Sequence, residues 1–168
     1  MLAMLLFGAG YILFSDEPGA PEWGDRRTLA DLRPGTATAA GVFDGKQIYV
    51  ANCVACHQTH GKGLPGVFPP LDGSEWVLGD ERIIVNILLH GVDGEISVAG
   101  TVYKGNMPAF KQLNDGELAA VSSHIRAQWS NRAAMIKPEL FERERKASSR
   151  SAPYAGGAEL KSLGAKAP

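Results

Sequence analysis

Two cysteines and a histidine stand together in the stretch NCVACHQTHGKG, residues 52–63, and are the side chains best suited to chemistry. Cys53 and Cys56 are two residues apart, His57 follows directly, and the chain has no other cysteine. The spacing C-x-x-C-H is the attachment signature of a c-type haem. On a helix the two sulfurs would lie about one turn apart and could form thioethers with the haem vinyl groups. His57 would then bind the iron through a neutral imidazole nitrogen.

Three other interpretations use the same residues. Cys53 and Cys56 could form a disulfide in an oxidising compartment, or a thioredoxin-like redox pair, although that pair expects a βαβ context that the sequence does not indicate. A zinc site could combine both cysteines with His57 and His60, but the spacing is crowded and no second pair of ligands follows. The motif therefore favours haem over zinc or redox exchange.

A second iron ligand is predicted at Met107, in the stretch YKGNMPAF. A thioether ligand stabilises ferrous over ferric iron and raises the reduction potential. Met1 and Met4 lie in the apolar N-terminal run, and Met135 lies beyond the last predicted helix, which leaves Met107 by elimination. The alternative is that Met107 only fills a gap in the core.

Short helices must position these side chains. Asp44 predicts the start of a helix over GKQIYVANC, which delivers the cysteines at its end. Asp80 predicts a second helix that stops at Gly91. Asn114 with Glu117 predicts a last helix. The apolar residues of that helix repeat at helical spacing at Leu118, Val121, Ile125 and Trp129.

Little other regular structure is indicated between these helices. The stretch HQTHGKGLPGVFPPLDGSEW is too rich in glycine and proline for a helix or strand, whereas GEISVAGTVYKG is β-prone and predicts a small hairpin. Three short helices supply too small a core for this many residues unless something else fills the centre. A buried haem would do so.

The segments outside this domain differ in character. Residues 1–14, MLAMLLFGAGYILF, are uninterrupted apolar residues and are predicted to be an uncleaved membrane anchor. As a helix they would be about 21 Å long, shorter than the roughly 30 Å bilayer core, so a buried core helix is the alternative. Residues 15–40 are predicted to be a linker, and residues 133–168 a tail that is partly disordered unless bound to a partner.

Charge is nearly balanced over the whole chain. The 17 Lys and Arg residues stand against 18 Asp and Glu residues, so the strong basic excess of a nucleic-acid-binding protein is missing. The basic residues are most frequent in the C-terminal tail. Nucleic acid is therefore not an expected partner.

Taken together, these motifs resemble the class I c-type cytochromes over residues 41–132. CVACH resembles the attachment site, GKGLPGVFPPLDGSEW the Gly/Pro loop, GNMPAF the distal ligand loop and LNDGELAAVSSHIRAQW the C-terminal helix. The resemblance implies a mainly α fold with three main helices around one covalently bound haem, a small β-prone insertion and His/Met ligation by His57 and Met107.

The resemblance also implies roles for individual residues. The carbonyl of Pro69 would accept the other N–H of the ligating histidine, and Leu71 would pack on the haem face. The remaining pocket walls would be Ile87, Leu88, Tyr103, Phe110 and Trp129, each of which could equally be ordinary core.

With both axial positions bound, the implied function is one-electron transfer rather than catalysis. The resemblance is to membrane-associated cytochrome subunits of bacterial respiratory and dehydrogenase complexes. It implies a carrier between a quinol-oxidising complex and a terminal oxidase, or the electron-accepting subunit of a periplasmic dehydrogenase. A peroxidase that gains an open site when Met107 leaves is a weaker alternative. The domain would face the periplasm from the inner membrane, since haem attachment takes place outside the cytoplasm.

Overall fold

The computed structural model describes residues 43–164 of the chain. The predicted anchor, residues 1–14, and the predicted linker, residues 15–40, lie outside the described residues. Across residues 43–164, no helix combines the length and the apolar character that a membrane crossing needs. The elements follow in the order α1 (Gly45–Asn52), α2 (Val54–His57), α3 (Glu75–Leu78), α4 (Glu81–His90), β1 (Val92–Val98), β2 (Thr101–Met107), α5 (Asp115–Ala127), α6 (Pro138–Ala147) and α7 (Gly157–Gly164). The fold is mainly helical with one small sheet, as the sequence predicts.

Polar side chains fix the start of each of the three helices predicted from the sequence. The carboxylate of Asp44 accepts two backbone N–H bonds from α1, at 2.9 and 3.2 Å. Asp80 accepts one from α4 at 2.8 Å. Asn114 and Glu117 form the complete capping box of α5, with bonds of 3.0 and 2.8 Å. The predicted starts of α1, α4 and α5 are confirmed, because each cap satisfies donors that a helix N-terminus leaves unpaired.

Helices α1 and α5 pack closely and form the centre of the first core cluster. At their contact lies Gly45, where a Cβ atom would clash with the backbone carbonyl of Ala120. The absence of a side chain lets the two backbones approach, and apolar residues of both helices are then buried: Ile48, Tyr49, Leu118, Val121 and Ile125. This pair of helices supports the segment that carries the cysteines.

The predicted hairpin is also confirmed. Strands β1 and β2 pair antiparallel, from Val92 opposite Met107 to Val98 opposite Thr101. Ala99 and Gly100 form the two-residue turn, and their φ angles of 48° and 79° fit the type I′ turn that matches the twist of a hairpin. Met107 is therefore the last residue of β2 and lies beside the end of α4.

The end of the predicted last helix differs from the expectation. Helix α5 stops at Ala127, and Trp129 lies beyond it with a φ of 54°, so the helical spacing that predicts Trp129 on this helix does not hold. The tryptophan ring instead folds against Gly61, and its indole N–H donates to the carbonyl of Thr59 at 3.2 Å. Apolar spacing alone cannot show where a helix ends when a contact with a distant segment, here that of Trp129 with Gly61, draws the side chain away from the helix.

The C-terminal segment, expected to be partly disordered without a partner, is folded onto the domain through residue 164. Helix α6 buries Phe141 in the first core cluster, and α7 buries Leu160 in a second cluster that includes Trp76 and Tyr154. The expectation of disorder is therefore wrong for the described part of the tail. The apolar residues are few in this charged stretch, but Leu140, Phe141 and Leu160 are buried against apolar surface provided by the rest of the domain.

The irregular loop between α2 and α3 is held in place by the buried side chain of Asn131. Its amide oxygen accepts the backbone N–H of Gly73 at 2.8 Å, and its amide nitrogen donates to the carbonyls of Leu71 and Ile125 at 3.1 and 2.9 Å. The neighbouring Ser130 donates to the carboxylate of Asp72 through both its backbone and its hydroxyl group. The loop is thus attached to the end of α5.

We expect Phe141→Ala to lower the free energy of unfolding by about 3–5 kcal/mol, because it removes a fully buried aromatic side chain. Denaturant unfolding of the purified chain measures the change. Arg143→Ala, at an exposed position of the same helix, is the control and should change stability by less than about 0.5 kcal/mol. Equal stability of the two variants would show that the tail does not pack on the domain in solution.

Asn131→Ala should also be destabilising, by about 2 kcal/mol or more, since one backbone donor and two carbonyls of the buried loop attachment lose their partner. The exposed amide Gln112 provides the matched control, Gln112→Ala, with an expected change near zero. A stability for Asn131→Ala within error of that control in the same unfolding experiment would contradict the role assigned to this side chain.

Candidate metal centre

One cavity brings together most of the side chains that the sequence singles out. It lies between α2, the following loop, α4 and the hairpin. Seven of the predicted site residues line it: Cys53, Cys56, His57, Pro69, Leu71, Tyr103 and Met107. The predicted wall residues Ile87, Leu88 and Phe110 line it as well. The cavity therefore combines two thiols, an imidazole and a thioether within mainly apolar walls.

The cysteines and the histidine share one short turn of helix. The backbone N–H of His57 donates to the carbonyl of Cys53 at 2.9 Å, and that of Cys56 donates to the same carbonyl at 3.2 Å. Both thiols are free. Burial, and to a lesser degree the neighbouring Cys56, raises the pKa of the Cys53 thiol to about 12, so this thiol is protonated at neutral pH. Two thiols on one helical turn, both lining the cavity, suit thioether attachment.

The imidazole of His57 is buried and held by one hydrogen bond. Its Nδ1 lies 3.0 Å from the carbonyl oxygen of Pro69, and since a carbonyl can only accept, Nδ1 carries the proton. The other nitrogen, Nε2, then has a free lone pair for a metal ion. Burial lowers the pKa of this histidine, although the hydrogen bond to Pro69 opposes the shift. The ring is therefore neutral, which is the form that binds a metal.

Met107 enters the same cavity from the end of β2. The tight approach of Gly91 fixes its backbone, because a Cβ atom at that glycine would clash with the carbonyl of Met107. Gly91 also has a φ of 78°, which favours glycine. Just after Met107, the N–H of Phe110 donates to the carbonyl of Leu88 at 2.9 Å. The methionine loop is thus joined to the end of α4.

The residues of the cavity fit an iron porphyrin. Two thiols can attach it, one nitrogen and one sulfur donor can coordinate iron, and the apolar walls suit its faces. Sequence reasoning missed several walls: Trp76, Val77, Ile84, Val92, Ile96 and Val98. The helical spacing of Ile84 with Ile87 and Leu88 could have indicated that Ile84 also lines the cavity. The wall residues of the hairpin depend on how the sheet packs, which a local pattern does not show.

Trp129 is the predicted pocket residue that the structure places elsewhere, since it is not among the residues that line the cavity. Its ring packs edge-to-face on Tyr49 with a centroid distance of 5.6 Å. The hydroxyl of Tyr49 in turn donates to the carbonyl of Gln58, just after the motif helix, at 2.6 Å. Trp129 therefore packs against the tyrosine that is hydrogen-bonded to the end of the motif helix.

The other interpretations of the cysteine motif receive no support from the described residues. Within residues 43–164, no group of three or more His, Cys, Asp or Glu side chains is placed to hold a metal ion. His60 is exposed, and its Nδ1 accepts the backbone N–H of Lys62 at 3.1 Å. The sheet that the structure describes is a two-stranded antiparallel hairpin, unlike the βαβ unit of a thioredoxin-like protein.

Known proteins are similar to this chain in sequence. Residues 40–125 match the family described as cytochrome c oxidase, cbb3-type, subunit III. A cytochrome c-552 of Thermus thermophilus is 39% identical over 148 residues, which cover 84% of this chain and 99% of the relative. The cytochrome c subunit of a quinone alcohol dehydrogenase from Gluconobacter oxydans is 33% identical over 112 residues, covering 65% of this chain but 22% of that subunit.

A third relative is a cbb3-type cytochrome c oxidase subunit CcoP from Azospirillum brasilense, 27% identical over 131 residues, or 74% of this chain and 39% of that protein. The family match covers half of the chain, and the Thermus relative matches along nearly its whole length. The chain therefore belongs to the class I c-type cytochromes and is an electron-transfer protein with one covalently bound haem c.

Proposed function

We propose that this chain is a membrane-tethered cytochrome c that passes single electrons from a quinol-oxidising complex to a terminal oxidase. The observation that carries the proposal is that the imidazole of His57 and the thioether of Met107 line the same apolar cavity as the two cysteines. In this proposal His57 and Met107 would be the two protein ligands of the iron. They would leave no coordination position for a substrate, which favours electron transfer over catalysis.

Each group of the site has a separate task. Cys53 and Cys56 would hold the cofactor, and when bound the haem would supply an iron that takes up and releases one electron. The hydrogen bond from His57 to Pro69 fixes the imidazole plane and strengthens nitrogen donation to the metal. Leu71 and Tyr103 line the cavity. Met107, as a thioether ligand, would favour the reduced state and thereby raise the potential.

A carrier is favoured over a fixed subunit by the extent of the similarities. The match to the Thermus cytochrome c-552 extends over 99% of that protein, so that relative consists of little more than the matched region. The match to the dehydrogenase cytochrome subunit covers only 22% of that protein. Tethering by residues 1–14 through a linker over residues 15–40 remains a prediction, as does the periplasmic side of a bacterial inner membrane.

The second candidate function is the electron-accepting subunit of a periplasmic dehydrogenase. The observation that favours it is the similarity to the cytochrome subunits of quinone alcohol dehydrogenase and of the gluconate 2-dehydrogenase of Pantoea cypripedii, at 33% and 36% identity. In this role the partner would oxidise the substrate, and the present chain would only accept the electrons.

Met107→Ala should abolish the sulfur-to-iron charge-transfer absorption of the ferric protein. It should also lower the reduction potential by roughly 0.1 V or more, because axial ligation sets the potential over about 0.8 V. Absorption spectroscopy and a redox titration measure both effects. Met135→Ala is the control, since this methionine is exposed and lies outside the cavity. An unchanged absorption band in Met107→Ala would show that another residue is the ligand.

The two candidate roles differ in the proteins that should remain bound to the chain. We expect a native membrane preparation in mild detergent to retain quinol-oxidising or oxidase subunits, identified by mass spectrometry. The purified chain should then be reduced by the quinol-oxidising fraction and reoxidised by the oxidase fraction. Recovery with a dehydrogenase, together with reduction by the substrate of that enzyme, would instead establish the second role.

A further inference from the structure

Residues 148–156 of the C-terminal tail connect α6 to α7 and run beside strand β1; we call this segment the strap. The N–H of Tyr154 donates to the carbonyl of Gly91 at 3.0 Å, and the N–H of Asp93 donates to the carbonyl of Tyr154 at 2.8 Å. These two hydrogen bonds lie on either side of Val92, which forms a parallel β-bridge with Tyr154. The strap is thus joined to the outer edge of β1 by a single parallel β-bridge.

On its other edge, Val92 pairs with Met107. Successive residues of a strand direct their backbone groups to opposite edges, so Gly91 and Asp93 face the strap while Val92 faces β2. Val92 therefore lies between Tyr154 on one side and the proposed iron ligand on the other. A movement of β1 at this point would move Met107.

Side chains hold the strap against α4 and α6. Tyr154 is 4% exposed, and its hydroxyl donates to the amide oxygen of Asn86 in α4 at 3.0 Å. The amide nitrogen of Asn86 donates to the carboxylate of Glu144 in α6 at 2.9 Å. The guanidinium of Arg150 lies 3.9 Å from the centre of the Tyr154 ring and forms an ion pair with Glu159 in α7. Three helices therefore fix the position of one tyrosine.

The strap also approaches the backbone of β1 directly. Gly156 has a φ of 94°, and a Cβ atom there would clash with the carbonyl oxygen of Glu95. Only glycine allows this approach without displacing one of the two segments. The contact between strap and strand thus extends from Gly91 to Glu95.

We propose that the strap, with Tyr154 as its central positioning residue, holds Met107 in its ligating position by fixing β1 from the outer edge. The inference rests on the proposed ligation of iron by Met107. A ligand loop dissociates by local opening, and the cost of that opening rises with the backbone bonds and buried contacts that must break. The strap contributes both kinds of contact to the strand that pairs with Met107.

The test is a titration of the ferric, haem-loaded full chain with imidazole, which competes with Met107 for iron. Loss of the sulfur-to-iron absorption reports the exchange. Tyr154→Ala should raise the apparent affinity for imidazole by about tenfold or more, because a larger fraction of molecules then has Met107 dissociated. Tyr154→Phe keeps the ring in place and loses only the bond to Asn86, so its affinity should stay within about threefold of the original chain.

Two further variants separate positioning from general stability. Leu118→Ala destabilises the first core cluster from α5, away from the strap, and should leave the imidazole affinity within about threefold of the original chain. Gly156→Ala keeps Tyr154 but forces the strap away from Glu95, and it should act in the same direction as Tyr154→Ala. It also provides the test if Tyr154→Ala fails to fold.

The possible results have distinct meanings. A rise in affinity in the strap variants but not in Leu118→Ala supports the proposal. Unchanged affinity in the strap variants, or an equal rise in Leu118→Ala, overturns it while leaving Met107 as the ligand. Absence of the sulfur-to-iron absorption in the unmodified protein overturns the ligand assignment and this inference together.

Discussion

The hydrogen bond between His57 and the carbonyl of Pro69 is the constraint around which the domain is organised. It sets the tautomer and the orientation of the imidazole, and it requires an irregular loop to return to the motif helix. That loop bends tightly at Gly63, where a Cβ atom would clash with the carbonyl of Phe68. Asn131 attaches the far end of the loop to α5. The bend at Gly63 and the bonds of Asn131 therefore support the loop that carries this carbonyl oxygen.

The parts of the fold that the sequence predicts are those that depend on neighbouring residues. The caps at Asp44, Asp80 and Asn114 act within three residues, and each lies where the sequence indicates. The hairpin is equally local, since two residues form its turn. The motif at Cys53 and the loop methionine at Met107 line one cavity, in agreement with the spacing and the resemblance that single them out.

The parts that the sequence does not predict depend on contacts between distant segments. Trp129 continues a helical pattern, yet it leaves the helix because Gly61, far earlier in the chain, offers a flat surface for its ring. Asn131 resembles an ordinary loop residue until the structure shows the three backbone groups that it satisfies. The tail has a charged composition, and its few apolar residues, such as Phe141 and Leu160, are buried only once the rest of the domain has formed a surface for them.

The position of Tyr154 in the chain has a consequence for the order of assembly. Tyr154 lies about 100 residues after the cysteine motif, and the first core cluster, which supports the motif, does not include it. The motif helix can therefore form while the hairpin still lacks the bridge to Tyr154 on its outer edge. During this interval the cavity is less tightly closed on the hairpin side than in the finished protein, and a large planar molecule can enter before the last residues complete the enclosure.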